Sequence, residues 1–298
     1  MLSAADVRVA ANRIRPYARC TPLLELEIGN RRVLLKLEYL QRSGSFKMRG
    51  ALNAILSGPL DDHVVAASGG NHGLAVATAA SLLGASATVY VPETVPAAKA
   101  RRIEAAGARL VRHGVTFAEA ASAASDAAAW PGHRFLHPFD DPAVVAGQGT
   151  VAAEIVADAP GVDAIAVAVG GGGLAAGTAL ASSGRRVVAV EPQHCRCLHD
   201  ALAAGGPVDS PAYSVAASAT GASRVGQVPF SILAAHDVSS VLVGDDEIIE
   251  ARDRLWEECR IAVEPAAAVP FAAWLAGRVP GDLPCLVLCG ANADWTAE

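Results

Sequence analysis

Lys47 stands at an apparent helix start, in Ser43-Gly44-Ser45-Phe46-Lys47-Met48-Arg49-Gly50, just ahead of the apolar helix pattern ALNAIL. The helix dipole disfavours a cation at that end. The same field, together with burial, lowers an amine's pKa, and a neutral amine is what imine chemistry requires. Gly170, Gly171, Gly172 and Gly173 follow the apolar run AIAVAV and precede the helix pattern LAAGTALA. Four glycines remove every Cβ from the turn, so backbone N–H groups can close on an anion with a helix N-terminus behind them. A second polar turn, Ser68-Gly69-Gly70-Asn71-His72-Gly73, also follows a β-branched run. Two such turns in separate strand–helix units suggest one ligand gripped from two sides, because ligands bind at the carboxyl ends of parallel strands.

The glycine turn alone admits a rival. Gly171-x-Gly173-x-x-Ala176 fits a dinucleotide fingerprint, and Glu191 ends the next β-branched run where a ribose-binding acid would stand. An NAD-binding protein thus stays open on this stretch, although it gives no task to Lys47 or to the Asn-His segment. Asn71 could also be a simple helix cap.

These residues need elements to hold them. Strands are expected at 33–37, 64–67, 88–91, 109–112, 164–169, 187–190, 238–243 and 285–289. Helices are expected at 71–83, 97–106, 117–128, 142–157, 174–182, 245–259 and 265–275. Such alternation implies an α/β fold with a mostly parallel sheet. Residues 205–228, rich in Gly, Ser, Pro and Ala, read as a long surface excursion beside the site. Apolar residues make up 52% of the 298, enough for a buried core, while aromatics at 5% leave Ala, Val and Leu to fill it. The formal charge of -6 argues against nucleic acid as a partner. No long apolar run lacks Gly, Pro or charge, so no membrane span is expected, and the first twenty residues show no secretion signal. Cys20, Cys195, Cys197, Cys259, Cys285 and Cys289 show no disulfide spacing, which suits reduced thiols and a cytoplasmic location.

Read together and in order, S-x-S-F-K-x-R-G, S-G-G-N-H-G, G-G-G-G-L and C-G-A-N resemble the fold-type II pyridoxal-phosphate enzymes, the tryptophan synthase β-like architecture. Within them the chain looks like the serine/threonine dehydratases. The likeness runs from Arg19-Cys20-Thr21-Pro22-Leu23 to Cys289-Gly290-Ala291-Asn292. It takes in Asp140-Asp141-Pro142 through Gly149-Thr150, and Val263-Glu264-Pro265. The resemblance implies pyridoxal 5'-phosphate as cofactor, carried by Lys47, with Phe46 near its ring. It implies a phosphate loop of Gly170, Gly171, Gly172 and Gly173, Asn71 on the ring hydroxyl and Cys289 facing the pyridine nitrogen. Ser68, Gly69, Asn71 and His72 would receive the substrate carboxylate. The implied fold has a large domain (1–52 and 142–298), a small domain (53–141) and the site in the cleft between two parallel sheets. A homodimer is implied, and no carboxyl-terminal regulatory domain is expected.

The implied reaction is β-elimination, turning L-serine or L-threonine into a 2-oxo acid and ammonia. Racemisation of serine, dehydration of a 3-hydroxyaspartate and a non-catalytic cofactor binder are the alternatives within the fold. Racemases of the family carry serine where this chain has Gly69. Arg224 is a candidate for meeting a second substrate carboxylate. Metal-dependent relatives pair a glutamate after a strand with an aspartate six residues later; here Glu191 is followed by Cys197, so that site is expected to be weak or changed. Glu191, Cys195 and Cys197 leave open a softer ion such as zinc.

Overall fold

The computed structural model describes residues 2–293. In chain order come α1 (Ala4–Ile14), β1 (Leu23–Ile28), β2 (Arg31–Lys36), a 3-10 turn at Glu38–Leu40 and α2 (Lys47–Leu56). Next are β3 (His63–Ala67), α3 (Asn71–Leu83), β4 (Ala87–Val91), α4 (Ala97–Ala105), β5 (Arg109–Arg112), α5 (Phe117–Ala128) and β6 (His133–Phe135). Then follow α6 (Pro142–Asp158), β7 (Ala164–Ala168), α7 (Gly173–Ala181), β8 (Arg186–Pro192), α8 (Cys197–Ala204), α9 (Ala217–Thr220) and α10 (Gln227–Leu233). The last are β9 (Val238–Val243), α11 (Asp245–Cys259), α12 (Pro265–Leu275) and β10 (Pro284–Val287).

Two sheets organise these elements. The larger has six strands in the order β1-β2-β10-β7-β8-β9; the smaller has four, in the order β5-β4-β3-β6. All pairings are parallel except β1 with β2. β7 reads AIAVA and is buried at every position, as a strand covered on both faces must be. The fold is therefore α/β with two parallel-sheet domains and helices on the sheet faces, as expected. Among the described residues no helix is long and apolar enough to cross a membrane.

The expected strands and helices are all present, within three residues at either end. β10 closes two residues before Cys289, which stands just past the strand rather than on it. Others were not expected. β1 alternates glutamate with half-buried leucine and isoleucine at the sheet edge, joined to β2 through Gly29 and Asn30, both at positive φ. That is the backbone a tight hairpin turn demands. β6, of three residues, is too short to carry a periodic signal.

α2 carries Lys47 at its first position and is anchored by charge. Arg49, fully buried, donates from Nε to Glu38 Oε2 (2.8 Å) and from Nη1 to Glu154 Oε1 (2.6 Å). Lys36 Nζ reaches Glu154 Oε2 (2.6 Å) and the Thr21 carbonyl (2.6 Å). Two cations and two carboxylates thus compensate one another out of water, and the loss of any one strands a buried charge. Met48, Leu52 and Ile55 on the same helix pack into the core beside the small sheet. α2 therefore touches both halves, and position 52/53 lies inside it.

Candidate active site

One cavity of about 440 Å³ opens between the two sheets at the carboxyl ends of their strands. Its lining includes the residues that the pyridoxal-phosphate resemblance assigns to cofactor and substrate carboxylate: Phe46 and Lys47, Ser68 to His72, the glycine turn 170–173 and Cys289. Its size suits a small cofactor with an amino acid.

Lys47 Nζ donates to the Pro138 carbonyl (2.7 Å) and lies 5.2 Å from the centre of the Phe46 ring. Burial brings its pKa down from 10.5 to about 8, opposed by Cys289. The shift enlarges the neutral fraction near neutral pH, and the neutral form is the nucleophilic and basic one. The Cys289 thiol is buried and its pKa is pushed well up, mainly by desolvation, so it faces the cavity as a neutral group.

The glycine turn is shaped as an anion cradle. A Cβ at Gly171 would collide with the Phe139 ring, and one at Gly170 would lie 3.0 Å from the Ala219 carbonyl oxygen. Gly172 has φ +92°, which glycine alone adopts without strain. The carbonyls of Gly170, Gly171 and Gly172 accept from Cys197 Sγ (3.2 Å), Gly226 N (3.1 Å) and Ala176 N (2.9 Å). Among the described residues none accepts from the N–H groups of the four glycines. The donors are thus left for an anion, at the N-terminus of α7. Residues 205–228 do run beside the site, where Ala217 to Ala222 form the opposing wall.

Asn71 is the first residue of α3, but its side chain does not cap the helix. Nδ2 donates to Glu264 Oε1 (2.6 Å), and Oδ1 accepts from Asn292 Nδ2 (2.8 Å). Asn292 Nδ2 also donates to the Ser43 carbonyl (2.8 Å), an acceptor only, which fixes that amide's orientation and through it that of Asn71. Glu264 is buried and its pKa is raised by desolvation, opposed by the Asn71 hydrogen bond. His72 Nε2 donates to the Leu136 carbonyl (3.0 Å), and burial drops its pKa to about 3, so it is a neutral ring. Ser68 Oγ accepts from Gly70 N (3.2 Å) and holds the loop 68–70 in shape.

Other expectations are corrected. Glu191 is buried and turned inward, accepting from Leu198 N (2.9 Å) and His199 N (2.8 Å), and burial pushes its pKa up to about 8. It offers no carboxylate to a ribose, which removes the dinucleotide reading. Cys195 and Cys197 do not join it: among the described residues no cluster of three or more His, Cys, Asp or Glu is placed to hold a metal ion. Burial pushes the Cys197 thiol up to about 12, and the thiol donates to the Gly170 carbonyl. Arg224 is an exposed residue bonded to Asp209 (3.0 Å) and the Pro207 carbonyl (2.6 Å), outside the cavity lining. Sequence reasoning passed over Thr94, Val95, Lys99, Phe117, Pro138 and Phe139, which complete the cavity wall from the small-sheet half. Their signal was positional, since loops after parallel strands face the cleft.

A half-buried lysine amine and a glycine turn with open N–H donors across one cleft fit a class of enzymes that hold a phosphorylated aldehyde on lysine. Residues 14–290 match the family described as "Pyridoxal-phosphate dependent enzyme", and the chain belongs to it. It is 38% identical over 308 residues to an L-threonine ammonia-lyase of Geobacter sulfurreducens, covering 99% of this chain and 76% of that protein. It is 37% identical over 317 residues to the serine racemase of Bos taurus, covering 99% and 94%. The solved T.th. threonine deaminase superposes with a TM-score of 0.93 at 36% identity, covering 99% of this chain and 100% of that one.

Proposed function

We propose that this chain is a pyridoxal-phosphate-dependent ammonia-lyase that converts L-threonine or L-serine into a 2-oxo acid and ammonia. The observation that carries the reading is the convergence on one cavity of a desolvated lysine amine, a glycine turn with free N–H groups, an oriented asparagine and a buried thiol. Lys47 would hold the cofactor through Nζ, the glycine turn its phosphate, the Asn71 amide its ring oxygen and the Cys289 thiol its ring nitrogen, with Phe46 beside the ring. The cofactor supplies the electron sink.

The protein's share is acid–base and positional. Lys47 Nζ, once released from the cofactor, would remove the Cα proton; a pKa brought down to about 8 puts more of it in the neutral, basic form than an ordinary lysine has. Ser68, Asn71 and the α3 N-terminus would receive the α-carboxylate. The β-hydroxyl leaves as water, and hydrolysis of the released enamine gives the 2-oxo acid and ammonia. The relatives' names, L-threonine ammonia-lyase and threonine deaminase, support this reaction. Racemisation is disfavoured by Gly69, which has no side chain to protonate the far face. A Cβ there would lie 2.6 Å from Val95, so a serine does not fit without movement.

The reading carries with it a small domain at 53–141, holding the four-stranded sheet, and a large domain from 1–52 and 142–298. It also carries a cytoplasmic homodimer, in keeping with six free cysteines and checked by light scattering. The decisive test incubates purified holoprotein with β-hydroxy amino acids and scores 2-oxo acid and ammonia. Threonine or serine should give both in equal amounts, with Lys47→Ala inactive and borohydride fixing cofactor to Lys47. Product from neither, or label on another lysine, refutes it.

A further inference from the structure

The glycine turn is held from behind by three hydrogen bonds to its carbonyls. Two of its outward carbonyls are satisfied by backbone N–H groups, from Gly226 and Ala176. The third, on Gly170, is satisfied by a side chain, the Cys197 thiol at 3.2 Å. A carbonyl can only accept, so the sulfur carries the proton in this contact. Cys197 is the first residue of α8 and is buried, so water cannot replace it. α8 is fastened in turn, since both Glu191 oxygens accept N–H groups from its first turn. A continuous line thus runs from the end of β8, through the α8 N-terminus, to the first glycine of the cradle.

Cys197 occupies the place where metal-dependent relatives carry an aspartate ligand, and the residues here do not suit a hard cation. A thiol that holds its proton on the Gly170 carbonyl offers no oxygen to such a cation. We propose that Cys197 is a positioning residue: its hydrogen bond to Gly170 holds the phosphate-binding turn in shape, so that cofactor retention in this chain needs no divalent cation. The inference rests on the pyridoxal-phosphate reading above.

The test is the dissociation constant of pyridoxal phosphate, read from the absorbance of bound cofactor. It is measured for wild type, C197A, C197S and C197D, each in chelator and in magnesium. Wild type should bind equally in both. C197A, which leaves the Gly170 carbonyl unpaired, should bind about fivefold more weakly, the worth of one hydrogen bond. C197S keeps a donor and should stand nearer to wild type than C197A does. C197D sets a carboxylate against a carbonyl and should bind poorly in chelator, then recover in magnesium, an oxygen-seeking ion. Thermal unfolding of each cofactor-free variant separates a loss of fold from a loss of retention. Wild-type affinity in a folded C197A, a wild type that needs magnesium, or a C197D indifferent to it overturns the proposal. A wild type that takes up no pyridoxal phosphate overturns instead the functional reading beneath it.

Discussion

Removing the amine of Lys47 should change how the cofactor-free protein responds to pH. Burial takes this lysine from 10.5 to about 8 in the fold, while the unfolded chain keeps the ordinary value. Below pH 8 both states are protonated, and the fold bears the full cost of a desolvated ammonium. Between about 8 and 10.5 the unfolded state binds more protons than the folded one, so stability rises with pH. Above 10.5 both are neutral and the cost is gone. At about 1.4 kcal/mol for each pH unit, the whole span is worth about 3.5 kcal/mol, of which about 2.5 falls between pH 7 and pH 10. Lys47→Met lacks this contribution. The assay is urea unfolding of both cofactor-free proteins at several pH values. Constant differences, such as the lost bond to the Pro138 carbonyl, drop out when the two curves are subtracted, as do the other lysines and tyrosines. The gap between wild type and Lys47→Met should move by about 2.5 kcal/mol in favour of wild type from pH 7 to pH 10. Parallel curves would show that Lys47 is not desolvated and would remove the basis for its role as a base at neutral pH.

The remaining predictions address the cradle, the amide clamp and the ring partner. Gly171→Ala should weaken cofactor binding by about tenfold, since its Cβ would press on the Phe139 ring; Phe139→Ala in the same protein should recover part of the loss, and an absorbance titration decides. Glu264→Leu removes the acceptor that orients Asn71 and should shift the absorbance of bound cofactor while weakening it about tenfold. Glu264→Gln, which keeps an acceptor oxygen, should shift it less; equal spectra in all three proteins would show that the clamp does not reach the cofactor. Cys289→Ser should cost little, whereas Cys289→Asp, which brings a stronger charged partner to the ring nitrogen, should lower 2-oxo acid formed per substrate consumed. An unchanged ratio in Cys289→Asp would make Cys289 a packing residue.

Much of this was legible because the chemistry sits at the seams of a regular pattern. Alternating β-branched and alanine-rich runs announced the parallel sheets, and packed glycines just past a strand could only be turns. The Glu264–Asn71–Asn292 clamp was not legible, because its three members are brought together by topology alone and no local spacing links residues 71 and 264. Glu191 misled for the reverse reason. Its position after a strand is right for a ribose acid, but whether a carboxylate faces the cleft or a helix N-terminus depends on the rotation of the next element. The Cys197 bond was likewise hidden, since a cysteine in a polar run looks the same whether it is idle or donating to Gly170.

The sheet order has a consequence for how the protein comes into being. β10 lies between β2 and β7, paired with Cys285 opposite both Leu34 and Ile165. The strand in the middle of the large sheet is therefore the last one to leave the ribosome. Until residue 287 emerges, the β1–β2 hairpin and the β7–β8–β9 block each present an apolar, unpaired edge, the kind of template on which nascent chains associate wrongly. Cys289 follows that strand by two residues, so the cleft acquires its floor last. A polypeptide stalled short of this point carries Lys47 and the glycine turn but lacks the strand that joins β2 to β7.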